Sequence, residues 1–409
     1  MTGAPSIAGA APMTRATLRK LVLLGALYFA QGLPYGFFAL AVPIVLRTRG
    51  WQLDDIGLTA LLLAPWAFKF AWAPLVDRVW WPRLGRRRTW ILAMQLAGAL
   101  VLAALALADR GDNVSVMLVA TFGLSLVAAT QDIATDGLAV ELLAPAERGV
   151  ANGLQVAAYR IGMVVGGGVL LGLRDAVGQR AVFAIMAALT ALASIPVLVA
   201  HEPPLAPAPP ADAPAAHHFL RRPGAWRLLA LILVYKVGET FGSSMIPTFL
   251  VDRGLGVSDI AWLRGTAGSA AGVLGAMAGG ALVGRIGRRR SLVAFGIVQA
   301  GAIASYAYLA LATPSTLELY AWCSFEPFAS GAATAALFTC MMDWSERFSS
   351  GTDYTVQASA VVIAQIGAAA VSGFSARAFG YAAHFELATG LCAVAVLLAY
   401  ALFPRDRAR

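Results

Sequence analysis

"DRVWWPRLGRRR" occupies positions 77–88, and "GRIGRRR" occupies 284–290. The second stretch repeats the end of the first, and each is a basic block with a long apolar run on either side. Arg is costly in hydrocarbon, so a block of Arg between two apolar runs is a loop joining membrane spans. The same alternation of apolar run and polar loop continues outward from both blocks to the ends of the chain. Of 409 residues, 59% are hydrophobic and 13% charged. About 25% charge is usual in a soluble domain, so the composition excludes that class.

A bilayer core about 30 Å thick takes about 20 apolar residues as helix. Twelve stretches reach that length: 21–46, 55–76, 89–108, 114–142, 150–173, 181–200, 226–250, 260–283, 291–312, 316–342, 354–376 and 382–403. Only helices or closed barrels satisfy their backbone in lipid, and these runs lack the alternation of barrel strands. The expected class is an all-α polytopic membrane protein. The first run is too long for a signal-peptide core and no small-residue cleavage site follows it, so it reads as an uncleaved span. With the N-terminus placed inside, the loops on that side hold 20 Lys and Arg against 7 on the other. That bias sets both termini in the cytoplasm.

Residues 201–225 are Pro- and Ala-rich and read as a cytoplasmic linker, with His217 and His218 solvated within it. They divide the chain into a tail 1–20, a six-span half 21–200, a second half 226–403 and a short tail 404–409. The halves echo each other at an offset of 204 residues. Phe37, Pro43, Leu46, Arg49, Gly50, Asp55 and Ile56 recur as Phe241, Pro247, Leu250, Arg253, Gly254, Asp259 and Ile260. Two parallel repeats around a midplane site are the plan of many secondary transporters.

Asp-Arg followed by Gly-Arg-Arg-Arg after the second span resembles the signature of the major facilitator superfamily. The first copy is stretched by "VWWPRL", and the second has Gly284 where an Asp often stands. The resemblance implies twelve helices in two pseudo-symmetric halves. It also implies a gating part for Asp77, Arg78, Arg86, Arg87 and Arg88; the alternative is that these Arg residues only set topology. A narrower resemblance rests on "AFKFAWAPLVDR" (67–78), "GRRRTWI" (85–91), "TQDIATDGLAVELLAPAERG" (130–149), "YRIGMVVGGG" (159–168) and "GTDYTVQAS" (351–359). These look like the muropeptide permease (AmpG-type) group, which is related to acetyl-CoA transporters and to siderophore permeases of the RhtX/FptX type. Large muropeptide permeases carry extra spans or extensions, whereas this chain is compact. The resemblance, taken with that length, implies a proton-coupled importer of a ferric siderophore, pyochelin- or rhizobactin-like, working as a monomer in a bacterial inner membrane. An anhydromuropeptide is the alternative cargo, and a drug or metabolite exporter stands third.

The remaining clues are ionisable residues inside the spans, which lipid penalises unless they face a partner or water. Asp132 and Asp136 lie one turn apart on one face of span four. Span five brings Arg160 to the depth of Asp132, so an Asp132–Arg160 pair is expected, either locking the first half or switching partners as the halves rock. Asp136 lies toward the cytoplasmic mouth, within reach of Arg148 or the basic loop, in a structural or gating part. Lys69 in span two either snorkels to the interface or pairs with an acid of span four. Lys236 and Glu239 are three apart in span seven, which permits a local pair. Glu326, beside Pro327, has no neighbour in sequence and must find a cation such as Lys236 or hold a proton. Arg264 is expected at the outer interface. Arg160 and Lys236 are the expected binders of anionic groups on the solute. Tyr28, Gln31 and Tyr35 flank the Gly32–Pro34 bend of span one and, with Tyr159, are expected ligand contacts; Gln155 and Gln365 are weaker ones. Glu326, Glu239 or Asp132 is expected to carry the coupled proton.

No GxxxxGK[ST] stretch occurs, which argues against ATP drive. Cys323, Cys340 and Cys392 have no metal-ligand spacing, and no Ser/His/Asp cluster appears, so neither a metal, a cofactor nor an enzyme is expected. The net charge of +9 is dispersed in short blocks instead of forming one basic face, which excludes nucleic acid. The expected partners are a small anionic solute, protons and the lipid bilayer.

Overall fold

The computed structural model describes residues 14–48, 59–108, 113–200, 202, 216–255, 257–312, 314–347 and 349–403. The C-terminal tail, most of the N-terminal tail and linker, and Arg49, Gly50, Asp55 and Ile56 of the first repeat copy lie outside the described residues, as does the side chain of His217. Among the described residues nine helices are long and apolar enough to cross a membrane, and there is no strand. The protein is a multi-pass, all-α membrane protein.

The expected spans map onto these helices, and proline and glycine mark several of the local features. Span two (59–78) is a chain of short turns. Pro65 and Pro74 open the helices Ala64–Phe68 and Ala73–Arg78, with a 3₁₀ turn at Lys69–Ala71 between them. Proline has no N–H to donate, so it starts a helix more readily than it continues one. Span ten, Thr316–Trp344, starts at a capping box between Ser315 and Glu318 and keeps Pro327 in its interior. Spans eleven and twelve run together as Ser350–Leu402 and are parted at Gly380, whose φ of 77° is strained for any residue with a Cβ.

The two halves are cross-linked at the end that carries loops 2–3, 4–5, 8–9 and 10–11. Span five (Arg148–Arg174) lies on span eight (Gly268–Ile286) through small residues. A Cβ on Gly153 would come 2.6 Å from the Ala276 carbonyl oxygen, so glycine is what permits this approach. One apolar cluster crosses the junction, joining Tyr28, Leu143 and Ala151 to Val283, Leu337 and Tyr354. The end of the linker is more ordered than its composition suggests. Residues Ala216–Arg221 form a helix, Phe219 is buried against Ala225, Leu229 and Val356, and Arg222 Nη1 lies 2.6 Å from Asp353 of span eleven.

Candidate functional site

At the junction end, a buried network ties span two to span eleven. Arg87 is fully buried, with Nη1 2.6 Å from Asp77 and Nη2 2.7 Å from Glu141; Nη2 also donates to Ser350 Oγ at 2.7 Å. Arg86 lies 3.0 Å from the same Asp77 carboxylate. The other oxygen of Asp77 accepts from the Thr352 backbone N–H (2.8 Å) and hydroxyl (2.6 Å). A second cross-link sets Arg148 and Arg288 on the two oxygens of Asp343, each at 2.7 Å. The structure thus brings Asp77, Arg86 and Arg87 together, whereas Arg88 turns to the Leu198 carbonyl at 3.0 Å and Arg78 is exposed. Glu141, Ser350, Thr352 and Asp343 escaped the sequence reading. All but Asp343 fall within the two quoted motifs at 130–149 and 351–359 or directly beside them, and nothing local announces their partners. In loop 4–5, burial raises the Glu147 carboxyl, but hydrogen bonds from Lys20, the Ala144 N–H and Thr17 outweigh it and hold the group below its usual range.

At mid-depth the pairing differs from expectation. Asp132 pairs with Lys69, and Arg160 is elsewhere. The 3₁₀ turn in span two delivers the Lys69 ammonium, nearly inaccessible, to the face of span four, and holds it 5.4 Å from the Trp66 ring centroid. Asp136 does not reach Arg148, which Asp343 occupies. It accepts from the Tyr28 hydroxyl at 2.6 Å and the Gln155 amide at 3.4 Å, with no cation in ion-pair range among the described residues. Tyr28 and Gln31 are both buried, and the Gln31 amide lies 3.4 Å from Thr135 Oγ1.

In the second half, Lys236 and Glu239 form the local pair at 2.7 Å, and both have further partners in span ten. Lys236 lies 3.2 Å from Thr334, and Ser330 donates to Glu239 at 3.0 Å. Glu326 is neither alone nor on Lys236: Arg264 holds it at 2.6 Å. Arg264 belongs to a π-helical turn, Ala261–Ala267, that precedes span eight, and its side chain points inward and is not interfacial. Sequence depth gives no sign of that turn.

Arg160 stands apart from these pairs. It is in the last turn of Arg148–Met163, just before the π-helical segment Val164–Leu170. Its guanidinium crosses to the other half and lies against Gly272, with Glu239, Glu326 and Arg264 as charged neighbours. No hydrogen-bond or ion-pair acceptor among the described residues reaches it. A planar cation with five donors is left half-buried between the halves.

A cavity of about 250 Å³ lies between spans one, two and four, with Tyr35, Phe38, Leu62, Trp66, Leu124 and Ser125 in its wall. Tyr159 stands behind it, 5.9 Å from Tyr35 and 6.5 Å from Trp66 between ring centroids. The arrangement combines an apolar, aromatic wall with an uncommitted guanidinium, which suits an amphipathic anion. No cluster of metal-ligating residues occurs among the described residues.

A sequence model of the Major Facilitator Superfamily matches residues 24–325. The anhydromuropeptide permease of Escherichia coli (strain K12) is 31% identical over 373 residues, which cover 89% of this chain and 75% of that protein. A putative transporter, AmpG 4, of Rickettsia felis is 24% identical over 357 residues, covering 84% and 86%. Among solved structures, the transporter FucP in its outward conformation superposes with a TM-score of 0.74 at 18% identity, covering 97% of this chain and 100% of FucP. That likeness establishes a common fold.

Proposed function

This chain belongs to the major facilitator superfamily of membrane transporters, and from that premise we propose that it imports an anhydromuropeptide by proton-coupled alternating access. The observation that carries the reading is Arg160. A guanidinium without an acceptor among the described residues, placed between the two halves, is a site for a carboxylate brought by the solute. Among anionic cargoes, the 31% identity with the Escherichia coli permease favours the muropeptide over the siderophore. The siderophore expectation rested on chain length alone, and the match spans three quarters of that longer relative. A difference in length therefore does not bear on the site.

Lys236 is committed to Glu239, so it serves as a supporting charge and Arg160 makes the first contact. Glu326, Glu239 and Asp132 each have a cation. Asp136 is met by the Tyr28 hydroxyl, the Gln155 amide and the Asp132 carboxyl, with no cation in ion-pair range among the described residues, so charge balance in the apolar interior favours Asp136 as the group that carries the proton, with Lys69 held on Asp132 one turn away. The Lys and Arg bias supports a cytoplasmic junction end, in a bacterial inner membrane. The conformation is then outward-facing, held by the Asp77–Arg87–Thr352 network, and the protein acts as a monomer. Uptake into spheroplasts tests the reading. Labelled anhydromuropeptide accumulates and the gradient collapses with a protonophore; accumulation of a ferric siderophore in its place would return the first cargo expectation.

A further inference from the structure

The cavity between spans one, two and four plays no part in charge recognition, yet it is built. Its wall is aromatic and aliphatic, and it includes Trp66 and Ala128, about one helical turn from the paired Lys69 and Asp132. Tyr35, Trp66 and Tyr159 form one continuous group of rings, with the Trp66 and Tyr159 planes at 76° and the Tyr35 and Tyr159 planes at 45°. All three side chains are only half-buried, in a region where fully packed aromatics are available by contrast: Phe37 and Phe38 nearby are buried. Lys69 presses on Trp66 and fixes its ring. In the same wall Ser125 is 6% exposed, and its hydroxyl has no hydrogen-bond partner among the described residues. An unmatched hydroxyl in an apolar pocket costs free energy unless a ligand supplies the partner.

Rings of this kind, with negative faces, suit the C–H face of a pyranose, whose hydrogens carry partial positive charge. A rim hydroxyl suits the sugar's own hydroxyl or amide groups. Arg160 follows Tyr159 in the chain and turns to span eight at Gly272, with Arg264 and Glu326 as charged neighbours, a setting that suits the carboxylates of a peptide. We propose that the halves divide the ligand: Tyr35 and Trp66 of the first half, backed by Tyr159, form a saccharide subsite, and Arg160, facing the second half, takes the peptide end. This deepens the muropeptide reading and rests on it.

The test is binding to the full-length protein in nanodiscs, with three probes: the peptide-bearing anhydrodisaccharide, the anhydrodisaccharide alone, and the free peptide. Trp66→Leu removes the ring, and Trp66→Phe keeps a smaller one on which Lys69 still rests. The expected result is a loss of about tenfold with Trp66→Leu for both sugar-bearing probes, the size of one well-placed aromatic contact. The free peptide is unaffected, and Trp66→Phe restores most of the loss. Ser125→Ala weakens the same two probes by a smaller factor. Equal losses for all three probes, or no loss for the disaccharide, would overturn the saccharide subsite while leaving muropeptide binding by the unmodified chain intact. Failure of the unmodified chain to bind either sugar-bearing probe would overturn the subsite and the functional reading together.

Discussion

Gly272→Ala is a one-carbon probe of Arg160. A Cβ at Gly272 would overlap Arg160 Nη1 and lie 2.8 Å from Cζ, inside the ~3.5–4.0 Å of an ordinary contact. The Pro327 carbonyl oxygen, at 3.3 Å, is tight but tolerable. The atom that must yield is the end of a long flexible side chain, so the helix survives; in a helix interior Ala is itself favoured over Gly by about 1 kcal/mol. The guanidinium leaves its notch. A hydrogen bond to a charged group is worth about 1.5–3 kcal/mol, or roughly tenfold to a hundredfold in affinity. Titration in nanodiscs is the assay, with the carboxylate ligand and its amidated analogue side by side. The expected outcome is weakened binding of the carboxylate form, little change for the amide, and unchanged thermal stability. Arg160→Met should give a similar loss, and Gly272→Ala should add almost nothing to it, since both act through one group. An unaltered affinity in folded Gly272→Ala protein, or losses that add in the double variant, would refute the assignment of the carboxylate to Arg160.

Asp136→Asn keeps an acceptor for Tyr28 and removes the titrating group, so it should abolish proton-driven accumulation and spare exchange of labelled for unlabelled solute; full accumulation would move the coupling elsewhere. Asp77→Asn leaves Arg87 in a fully buried site with one carboxylate fewer. Breaking one side of such a pair costs about 3–5 kcal/mol. A cysteine replacing Asn152, fully buried between the halves, should then be labelled much faster, in a chain whose three native cysteines are replaced; an unchanged labelling rate would show that the network is not the lock.

Much of the architecture was legible because lipid imposes simple rules on length and charge. The apolar runs map onto the helices, and the basic blocks at 77–88 and 284–290 both flank the junction. Local pairs were legible too. Lys236 and Glu239 are neighbours on one helix face, and the two alternatives for Lys69 included the acid it meets. Pairings around the helix axis were not. Depth along a span gives the level of Arg160 but not its direction, and Arg160 points to span eight while span two reaches Asp132. The turn that brings Lys69 there comes from Pro65 and Pro74 together, and the π-helical turn that aims Arg264 at Glu326 has no composition signal. Contacts between halves, such as Arg148 with Asp343, join residues 195 apart, where periodicity says nothing.

Counterflow with the purified protein in liposomes tests the central claim most directly. Vesicles are loaded with unlabelled anhydromuropeptide and presented with labelled ligand outside, without a proton gradient. The account predicts a transient overshoot of label with the native chain, lost in Arg160→Met and retained in Asp136→Asn. An overshoot only when the vesicles hold and receive a ferric siderophore, or a muropeptide overshoot indifferent to Arg160, would contradict it.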